Sequence, residues 1–245
     1  MRVVRLYTHQ SLAPGSTLEL EDTIRHYALN VLRLNKRSSL ILFNGDGNDY
    51  PCEILDYSKT NLRVIITEKI SLDSESSLET HLYISVSKSS HMDYAIQKSV
   101  EAGVSIIHPI LTERSVNKSS NKSAENKRQH WQRIIQSACE QCGRAVIPTL
   151  SPICKINEID ELDTSDCSLM LDANSNQTMN NLNIVNPTSI KLLIGPEGGL
   201  TESEINAALH KGFKAVRCGP RVLRTETAAV TAIILAQQLW GDLAG

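Results

Sequence analysis

The pattern of apolar and polar positions changes near residue 70, and the two parts of the chain predict different architectures. Before that point, short apolar runs alternate with Gly, Asn and Asp. The segment LILFNGDGNDYPCEIL (40–55) has two apolar runs around such a turn, which predicts a β-hairpin. Apolar residues recur at helical spacing over residues 23–34, so one helix is expected to interrupt the strands. The N-terminal part is therefore predicted to be a small β-rich domain.

Strands and helices alternate after residues 71–80, whose sequence SLDSESSLET is Ser-rich and acidic like a linker. The strand HLYISV is followed by a helix, whose start is indicated by Ser90 and Asp93, and then by the strand VSIIHPIL. Strand, helix and strand in this order predict a right-handed βαβ crossover and a parallel sheet. We therefore predict a β domain at residues 1–72 and an α/β domain at residues 73–245.

The remainder of the chain continues this alternation. A mobile polar loop is expected over residues 117–126 and a helix over residues 127–142. Strands are expected over residues 168–173 and 190–195, and a last helix over Thr225–Trp240.

Composition excludes some functions and leaves others open. The chain of 245 residues has 25 Lys and Arg against 27 Asp and Glu, a formal net charge of −2, and only 4% aromatic residues. These totals argue against a generic nucleic-acid coat protein and against a base-stacking platform for single strands. The charge is uneven, however, because residues 112–148 carry seven basic and three acidic side chains, a local surplus that suits phosphate binding. Tyr94 and Trp131 are both expected on apolar helix faces, with Trp131 in the core.

No stretch approaches the roughly 18–20 apolar residues of a membrane span, and the opening MRVVRLYTHQ lacks the apolar middle of a signal peptide. A cytoplasmic protein with reduced cysteines and no membrane contact is therefore expected. Cys139 and Cys142 form a CxxC pair, but no second pair follows, so inert thiols are favoured over a redox pair or half of a zinc site. The histidines form no HExxH or HxH arrangement, and no metal is expected.

A loop with the sequence GPEGG, residues 195–199, directly follows a predicted strand. It precedes a helix whose start is marked by the capping box of Thr201 and Glu204. Ligands of open α/β sheets bind beyond the carboxyl ends of strands, and glycines there allow close approach of the backbone. An ordinary strand–helix turn is the alternative interpretation. A Walker loop is excluded, because no Gly-Lys-Ser/Thr follows.

The sequence CGPRVLRTETA, residues 218–228, also follows a predicted strand and opens a helix. It holds Arg221 and Arg224 in the loop and Glu226 in the first helical turn, where the helix dipole favours an acid even without a function. Solvated or salt-bridged arginines are the alternative interpretation. Two such loops at successive strand ends would frame one crevice, in which backbone donors suit adenine and ribose. Guanidinium groups suit a phosphate or an enolate-like oxygen.

The two loops in context, LLIGPEGGLTESEI and CGPRVLRTETAAVTAI, resemble the paired signature of the 16S ribosomal RNA uridine-N3 methyltransferases, the RsmE family of the SPOUT class. AIQKSVEAGVSIIHPILTERS and WQRIIQSACEQCGR are similar to the catalytic domain of that family. RVVRLY, HYALNVLRL and FNGDGNDYPCEI are similar to its N-terminal RNA-binding domain. The resemblance covers nearly the whole chain. It implies a small N-terminal PUA-like β-barrel domain plus a C-terminal SPOUT α/β domain with a deep trefoil knot.

The resemblance also implies an activity: a homodimer methylates N3 of one uridine of 16S rRNA (family position 1498), within the assembled small ribosomal subunit, using S-adenosyl-L-methionine. Uridine N3 carries a proton at neutral pH, so the site must accept that proton or stabilise the negative charge that develops on the uracil oxygens. Arg224 is the expected cation, with Arg221 or Arg144 assisting. Glu226 is expected to accept the proton or to position an arginine, and Glu197 is an alternative contact for the cationic end of the cofactor.

The cofactor contacts that the resemblance implies lie at a strand end and in the two loops: Leu171, Ile194, Gly195, Pro196, Glu197, Gly198, Gly199, Cys218, Gly219, Val222, Leu223, Arg224, Thr225, Glu226, Thr227 and Ala228. Cys218 stands where the family commonly has Leu, and little effect is expected because both are apolar and of moderate size. The residues expected to bind RNA are basic side chains of both domains: Arg2, Arg5, His26, Arg33, Lys88, Arg114 and Arg144.

Two other classes of function compete with the methyltransferase. One is a non-catalytic RNA-binding or ribosome-assembly protein that has kept the fold, and the intact GPEGG and VLRTETA sequences argue against it. The other is an unrelated α/β enzyme that binds a nucleotide or sugar phosphate. The absence of a phosphate-loop lysine and of a ribose-reading motif argues against that class.

Overall fold

The computed structural model describes residues 4–115, 121–159 and 167–244. Arg2, an expected RNA contact, and residues 117–120 of the expected mobile loop lie outside this part of the chain. The chain divides into two compact units. Unit 1 comprises Met1–Glu75 and Cys139–Ile147, and unit 2 comprises Ser76–Ala138 and Pro148–Gly245.

This division differs from a single boundary at residue 72, because the segment Cys139–Ile147 groups with the N-terminal residues. The amide of Gly47 donates to the carbonyl oxygen of Ala145 at 3.3 Å. The amide of Tyr7 donates to Oε1 of Glu140 at 3.0 Å. A hydrogen-bonded return segment of this kind leaves no composition signal in the sequence.

Unit 1 is a mixed β-sheet with one helix. Its elements are β1 Val4–Tyr7, β2 Thr17–Glu19, α1 Asp22–His26, a π-helical continuation Tyr27–Val31, β3 Ser39–Phe43, β4 Asn48–Tyr57, β5 Leu62–Ile66 and β6 Ile70–Ser71. The strand order is β1-β3-β4-β5-β2, with β6 beside β4; β1 and β3 are parallel and the other pairs are antiparallel. The predicted hairpin (β3 and β4) and the predicted helix are confirmed. Alternate strand residues such as Leu40, Leu42 and Val64 fill the core.

Unit 2 is a parallel sheet with helices between its strands. Its elements are β7 Glu79–Ser85, α2 Ser89–Glu101, β8 Ile106–Leu111, α3 Asn121–Cys142 (whose last residues belong to unit 1), β9 Thr149–Leu150, β10 Cys154–Lys155, β11 Cys167–Leu171, β12 Ser189–Ile194, α4 Glu202–His210, β13 Lys214–Val216 and α5 Thr225–Trp240. The strand order is β10-β8-β7-β12-β11-β13, with β9 beside β8, and every pair is parallel. The predicted βαβ unit is confirmed, and β11, β12 and β13 end at the same edge of the sheet.

Two expected helix starts differ from the structure. Helix α2 begins at Ser89 after Lys88 and has no side-chain cap, so Ser90 lies inside the helix. Asp93, instead of capping, lies 3.0 Å from Nε2 of His130. Helix α3 begins at Asn121, so the last residues of the expected loop are helical.

Three side-chain expectations have clear outcomes. Trp131 is buried, as predicted. The prediction that Tyr94 lies on an apolar face is wrong, because its side chain is 51% exposed. The buried face of α2 is formed by residues such as Met92 and Ala95. All six cysteines are free, and burial raises the pKa of the Cys139 thiol to about 12, which keeps it protonated and unreactive. None of the described helices is long and apolar enough to cross a membrane.

Candidate functional site

A cavity of about 410 Å³ opens at the edge of the unit 2 sheet where β11, β12 and β13 end. Its volume lies within the range of roughly 300–1,000 Å³ that is usual for small-molecule sites. The walls are the GPEGG loop (residues 195–199), the CGPRVLR loop (residues 218–224), the residues after β11 and the start of α5. The two sequences that were singled out for their glycines therefore surround one cavity, as predicted.

The GPEGG loop is held in a tight turn. Gly199 has φ of 72°, a conformation that favours glycine, and its amide donates to the carbonyl oxygen of Pro196 at 2.8 Å. The next helix, α4, begins with the predicted capping box, in which the side chain of Glu204 accepts from the amide of Thr201 at 2.9 Å. The turn and the cap together fix the path of the GPEGG loop between β12 and α4.

The CGPRVLR loop is tied to the GPEGG loop by one partly buried hydrogen bond. Oγ1 of Thr225, the first residue of α5, donates to the carbonyl oxygen of Gly195 at 3.1 Å. At the other end of the loop, Gly219 has φ of 99°, which again favours glycine. The two walls of the cavity are therefore joined directly.

Arg221 and most of the expected cofactor contacts line the cavity. The expected cofactor contacts on the wall are Leu171, Ile194, Gly195, Pro196, Glu197, Gly198, Gly199, Cys218, Gly219, Val222, Leu223, Thr225 and Ala228. Burial raises the pKa of the Cys218 thiol to about 11, so this side chain stays neutral.

Arg224, Glu226 and Thr227 are not on the cavity wall. Residues three apart share one face of a helix, so Thr225 and Ala228 face the cavity while their neighbours in the sequence point elsewhere. The side chains of these three residues lie beside the wall, and their expected contacts with the cofactor stay predictions.

The residues directly after β11 were not among the expected cofactor contacts. Asp172, Ala173 and Asn174 line the cavity, and the amide of Asp172 donates to the carbonyl oxygen of Val216 at 2.9 Å. The general rule that ligands lie beyond strand ends would have included them, because they follow the neighbouring strand β11.

Arg5 and Arg144, both expected to bind RNA, are instead largely enclosed in unit 1, and Arg144 is buried. Arg5 contacts Asp49 at 2.6 Å with side chains 11% and 9% exposed, and also donates to the carbonyl oxygen of Cys139. Nε of Arg144 donates to Glu75 at 3.1 Å, and its side chain is 8% exposed. A buried guanidinium bound to a carboxylate is not available to a phosphate or to a reacting base, so these two residues have a structural role.

Arg114, a further expected RNA contact, is exposed and lies at the cavity. Its Nη1 donates to the carbonyl oxygen of Gly198 at 2.6 Å, and its side chain forms part of the cavity wall. The remaining expected RNA contacts, His26 and Arg33 in unit 1 and Lys88 in unit 2, are exposed.

A cluster of His91, Glu197 and Glu226 was missed by the sequence analysis. Nδ1 of His91 is 3.3 Å from Oε1 of Glu197 and 3.8 Å from Oε2 of Glu226. Glu226 is buried, and its Oε2 accepts no hydrogen bond from the described residues. No spacing motif could reveal the cluster, because His91 and Glu197 are 106 residues apart.

Comparisons with known proteins agree with this architecture. The family model described as the RNA methyltransferase domain matches residues 74–237, and that of the RNA methyltransferase PUA domain matches residues 20–67. The chain is 34% identical to ribosomal RNA small subunit methyltransferase E of Buchnera aphidicola subsp. Schizaphis graminum, over 99% of this chain and 98% of that protein. The chain belongs to the ribosomal RNA small subunit methyltransferase E family. The resemblance inferred from the sequence motifs is thereby confirmed, as is the PUA-like N-terminal domain.

Relatives and solved structures of the family extend over nearly the whole chain. The Bacillus subtilis member is 27% identical and covers 92% of this chain and 91% of its own length. A structure of the Neisseria gonorrhoeae member bound to S-adenosyl methionine is 36% identical, with a TM-score of 0.91 over 98% of this chain and 99% of that one. A structure of a Legionella pneumophila protein in complex with the cofactor SAM is 36% identical, with a TM-score of 0.93 over 99% of this chain and 100% of that one.

Proposed function

We propose that this protein transfers a methyl group from S-adenosyl-L-methionine to N3 of one specific uridine in 16S rRNA. The observation that carries the proposal is the cavity enclosed by the GPEGG and CGPRVLR loops, in a chain of this family whose Neisseria relative binds S-adenosyl methionine.

The residues present fit this cofactor. Apolar side chains such as Leu171, Ile194 and Leu223 offer a surface for the adenine ring, and the glycines leave backbone groups accessible to ribose. The carboxylate of Glu197 is on the wall and suits a cationic group. When bound, the cofactor supplies a methyl group on a positively charged sulfur, and the protein supplies orientation and electrostatics.

Arg224 and Glu226 are our candidates for the chemistry at uridine N3. The Arg224 guanidinium is exposed and makes no hydrogen bond or ion pair with the described residues, so it is available to stabilise negative charge on a uracil oxygen. Glu226 has a carboxylate oxygen without a hydrogen bond, which suits the acceptor of the N3 proton. Arg221, on the cavity wall, is the assisting cation.

The replacement Arg224→Ala tests the assignment of the cation. We expect kcat to fall by about 10²–10³, the usual cost of removing one stabiliser of developing charge, with the Kd for the cofactor changed less than about twofold. Single-turnover methylation and calorimetry measure the two quantities. Wild-type turnover with unchanged cofactor binding would reject the role of Arg224.

We further propose that the RNA is engaged by exposed basic residues of both units, His26, Arg33 and Lys88, in the context of the assembled small subunit. Because basic side chains bind RNA through its phosphates, we expect the affinity for RNA to fall as the salt concentration rises. A homodimer and a cytoplasmic location belong to the same proposal and rest on family membership.

The SPOUT class and the trefoil knot also belong to the proposal. Two features support them: β11 has both β12 and β13 as neighbours, and α5 starts with a residue hydrogen-bonded to the loop that follows β12. The C-terminal segment thus passes against a loop that precedes it in the chain.

The test of the activity uses the whole protein with labelled S-adenosyl-L-methionine and either small subunits or 16S rRNA from a strain that lacks the enzyme. We expect label on one uridine and, in a primer-extension or mass-spectrometric assay, a methyl group at N3. If neither substrate is labelled and calorimetry shows no cofactor binding, the proposed function is rejected.

A further inference from the structure

Three side chains from three different elements meet beside the cofactor cavity. His91 comes from the first turn of α2, Glu197 from the GPEGG loop and Glu226 from the first turn of α5. The facing atoms of all three lie within 4.8 Å of one another. The cluster therefore connects both loop regions of the cavity to a helix that belongs to neither of them.

The two carboxylates would repel each other without a positive group between them. Glu197 is partly exposed and is screened by water, but Glu226 is buried, where charges interact more strongly. The amide groups at the start of α5 compensate only part of the Glu226 charge. Nδ1 of His91 lies between the two, at 3.3 Å from one carboxylate and 3.8 Å from the other.

We propose that His91 is a positioning residue: it pairs with both Glu197 and Glu226 and thereby keeps the two loops of the cavity in register. The inference rests on the proposed function, because the cavity is taken to be the cofactor site. His91 itself is not on the cavity wall, so it acts through the two glutamates.

His91 adds a second link to the hydrogen bond that Thr225 makes at the base of the two loops. Thr225 links α5 to Gly195 at the start of the GPEGG loop, and His91 links α5 to Glu197 in its middle. Two links at different places restrict rotation of one loop relative to the other, which one link does not.

The first experiment uses the ligand-free protein, so it does not depend on any cofactor. Amide hydrogen exchange is measured at Gly199, which donates to Pro196, and at Ala228, which donates to Arg224. In His91→Gln, which keeps a polar side chain but no charge, we expect exchange about tenfold faster at both amides. In His91→Lys, which keeps a positive charge, we expect rates within about twofold of wild type.

The matched control is His130→Gln. Like His91, His130 pairs with a carboxylate, in this case that of Asp93 in α2, but the His130 side chain is exposed. We expect no change in exchange at either loop amide in this variant. Equal acceleration in both histidine variants would show a general loosening of α2 and would overturn the positioning role.

The second experiment is calorimetry with S-adenosyl-L-methionine. We expect the Kd of His91→Gln to rise about tenfold, that of His91→Lys to return to within about twofold of wild type, and KM for the cofactor to change more than kcat. A Lys variant as weak as the Gln variant would overturn the charge argument. So would a wild-type Kd that rises on addition of EDTA, because a metal ion would then hold the carboxylates.

The two experiments separate the two proposals. If the wild-type protein does not bind the cofactor, the proposed function fails while the exchange rates still decide the role of His91. If it binds the cofactor and the exchange rates of His91→Gln equal those of wild type, the positioning role fails alone.

Discussion

His108 makes the stability of unit 2 depend on pH. Its ring stacks on Tyr83 with centroids 4.2 Å apart, and its Nε2 is 3.2 Å from Nδ1 of His81. Burial, the neighbouring His81 and the charge of Lys191 lower the pKa of His108 to about 4 from 6.5. The folded protein therefore holds this ring in its neutral form.

The direction of the effect follows from the two pKa values. Above pH 6.5 the ring is neutral in both the folded and the unfolded chain, and it has no effect on the free energy of unfolding. As the pH falls from 6.5 to about 4, only the unfolded chain takes up the proton, so stability is lost. At about 1.4 kcal/mol for each pH unit the loss approaches about 3 kcal/mol, and because the ring is partly exposed we expect about 2 kcal/mol.

The perturbation is His108→Phe, which keeps an aromatic ring against Tyr83 but has no proton to gain. Urea unfolding at several pH values between 7.5 and 4.5 is followed by tryptophan fluorescence, because Trp131 and Trp240 both belong to unit 2. Over this range, we expect the wild-type protein to lose about 2 kcal/mol more than the variant. His210→Gln, at an exposed histidine of α4, should keep the wild-type slope. Parallel pH curves for His108→Phe and wild type would refute the reasoning.

Two further predictions concern the hydrogen bond between the loops and the buried ion pair. Thr225→Val removes the donor to the partly buried carbonyl of Gly195. Leaving a buried acceptor unpaired costs about 1–3 kcal/mol, and for this partly buried one we expect the Kd for S-adenosyl-L-methionine to rise about fivefold to tenfold by calorimetry. Thr188→Val, at an exposed threonine that is not on the cavity wall, should bind as wild type does, and equal affinities for all three proteins would contradict the prediction. Asp49→Asn leaves the Arg5 guanidinium buried without its carboxylate, so the free energy of unfolding should fall by about 3 kcal/mol in urea. Asp56→Asn, in the exposed pair with Arg63, should change it by less than about 1 kcal/mol, and a similar loss in both variants would remove the argument from burial.

The parts of the fold that the sequence predicted correctly depend on local rules. The hairpin of β3 and β4, the β7–α2–β8 unit and the Thr201 cap each follow from residues within a few positions of one another. Both glycine loops were also located from local patterns, and the sheet then placed them around the same cavity.

The failures concern charged residues whose partners are distant in the sequence. Arg5 pairs with a carboxylate 44 residues away, and Arg144 with one 69 residues away. An arginine in a polar segment looks the same in the sequence whether it faces water or a buried carboxylate. The contacts of His91 could not be predicted for the same reason, because its partners Glu197 and Glu226 come from two other elements.

The start of α5 shows how a continuous motif can serve two functions. The letters RTETA read as one unit, but the helical repeat turns Thr225 and Ala228 towards the cavity and leaves Arg224 and Glu226 outside its wall. Under the proposed function, the first pair would contact the cofactor and the second pair the uracil. Substitutions at Thr225 or Ala228 should then change mainly the cofactor Kd, and substitutions at Arg224 or Glu226 mainly kcat. If instead all four positions changed the cofactor Kd alike, the division of the motif by helix geometry would be wrong, and the CGPRVLR loop would have to rearrange when the cofactor binds.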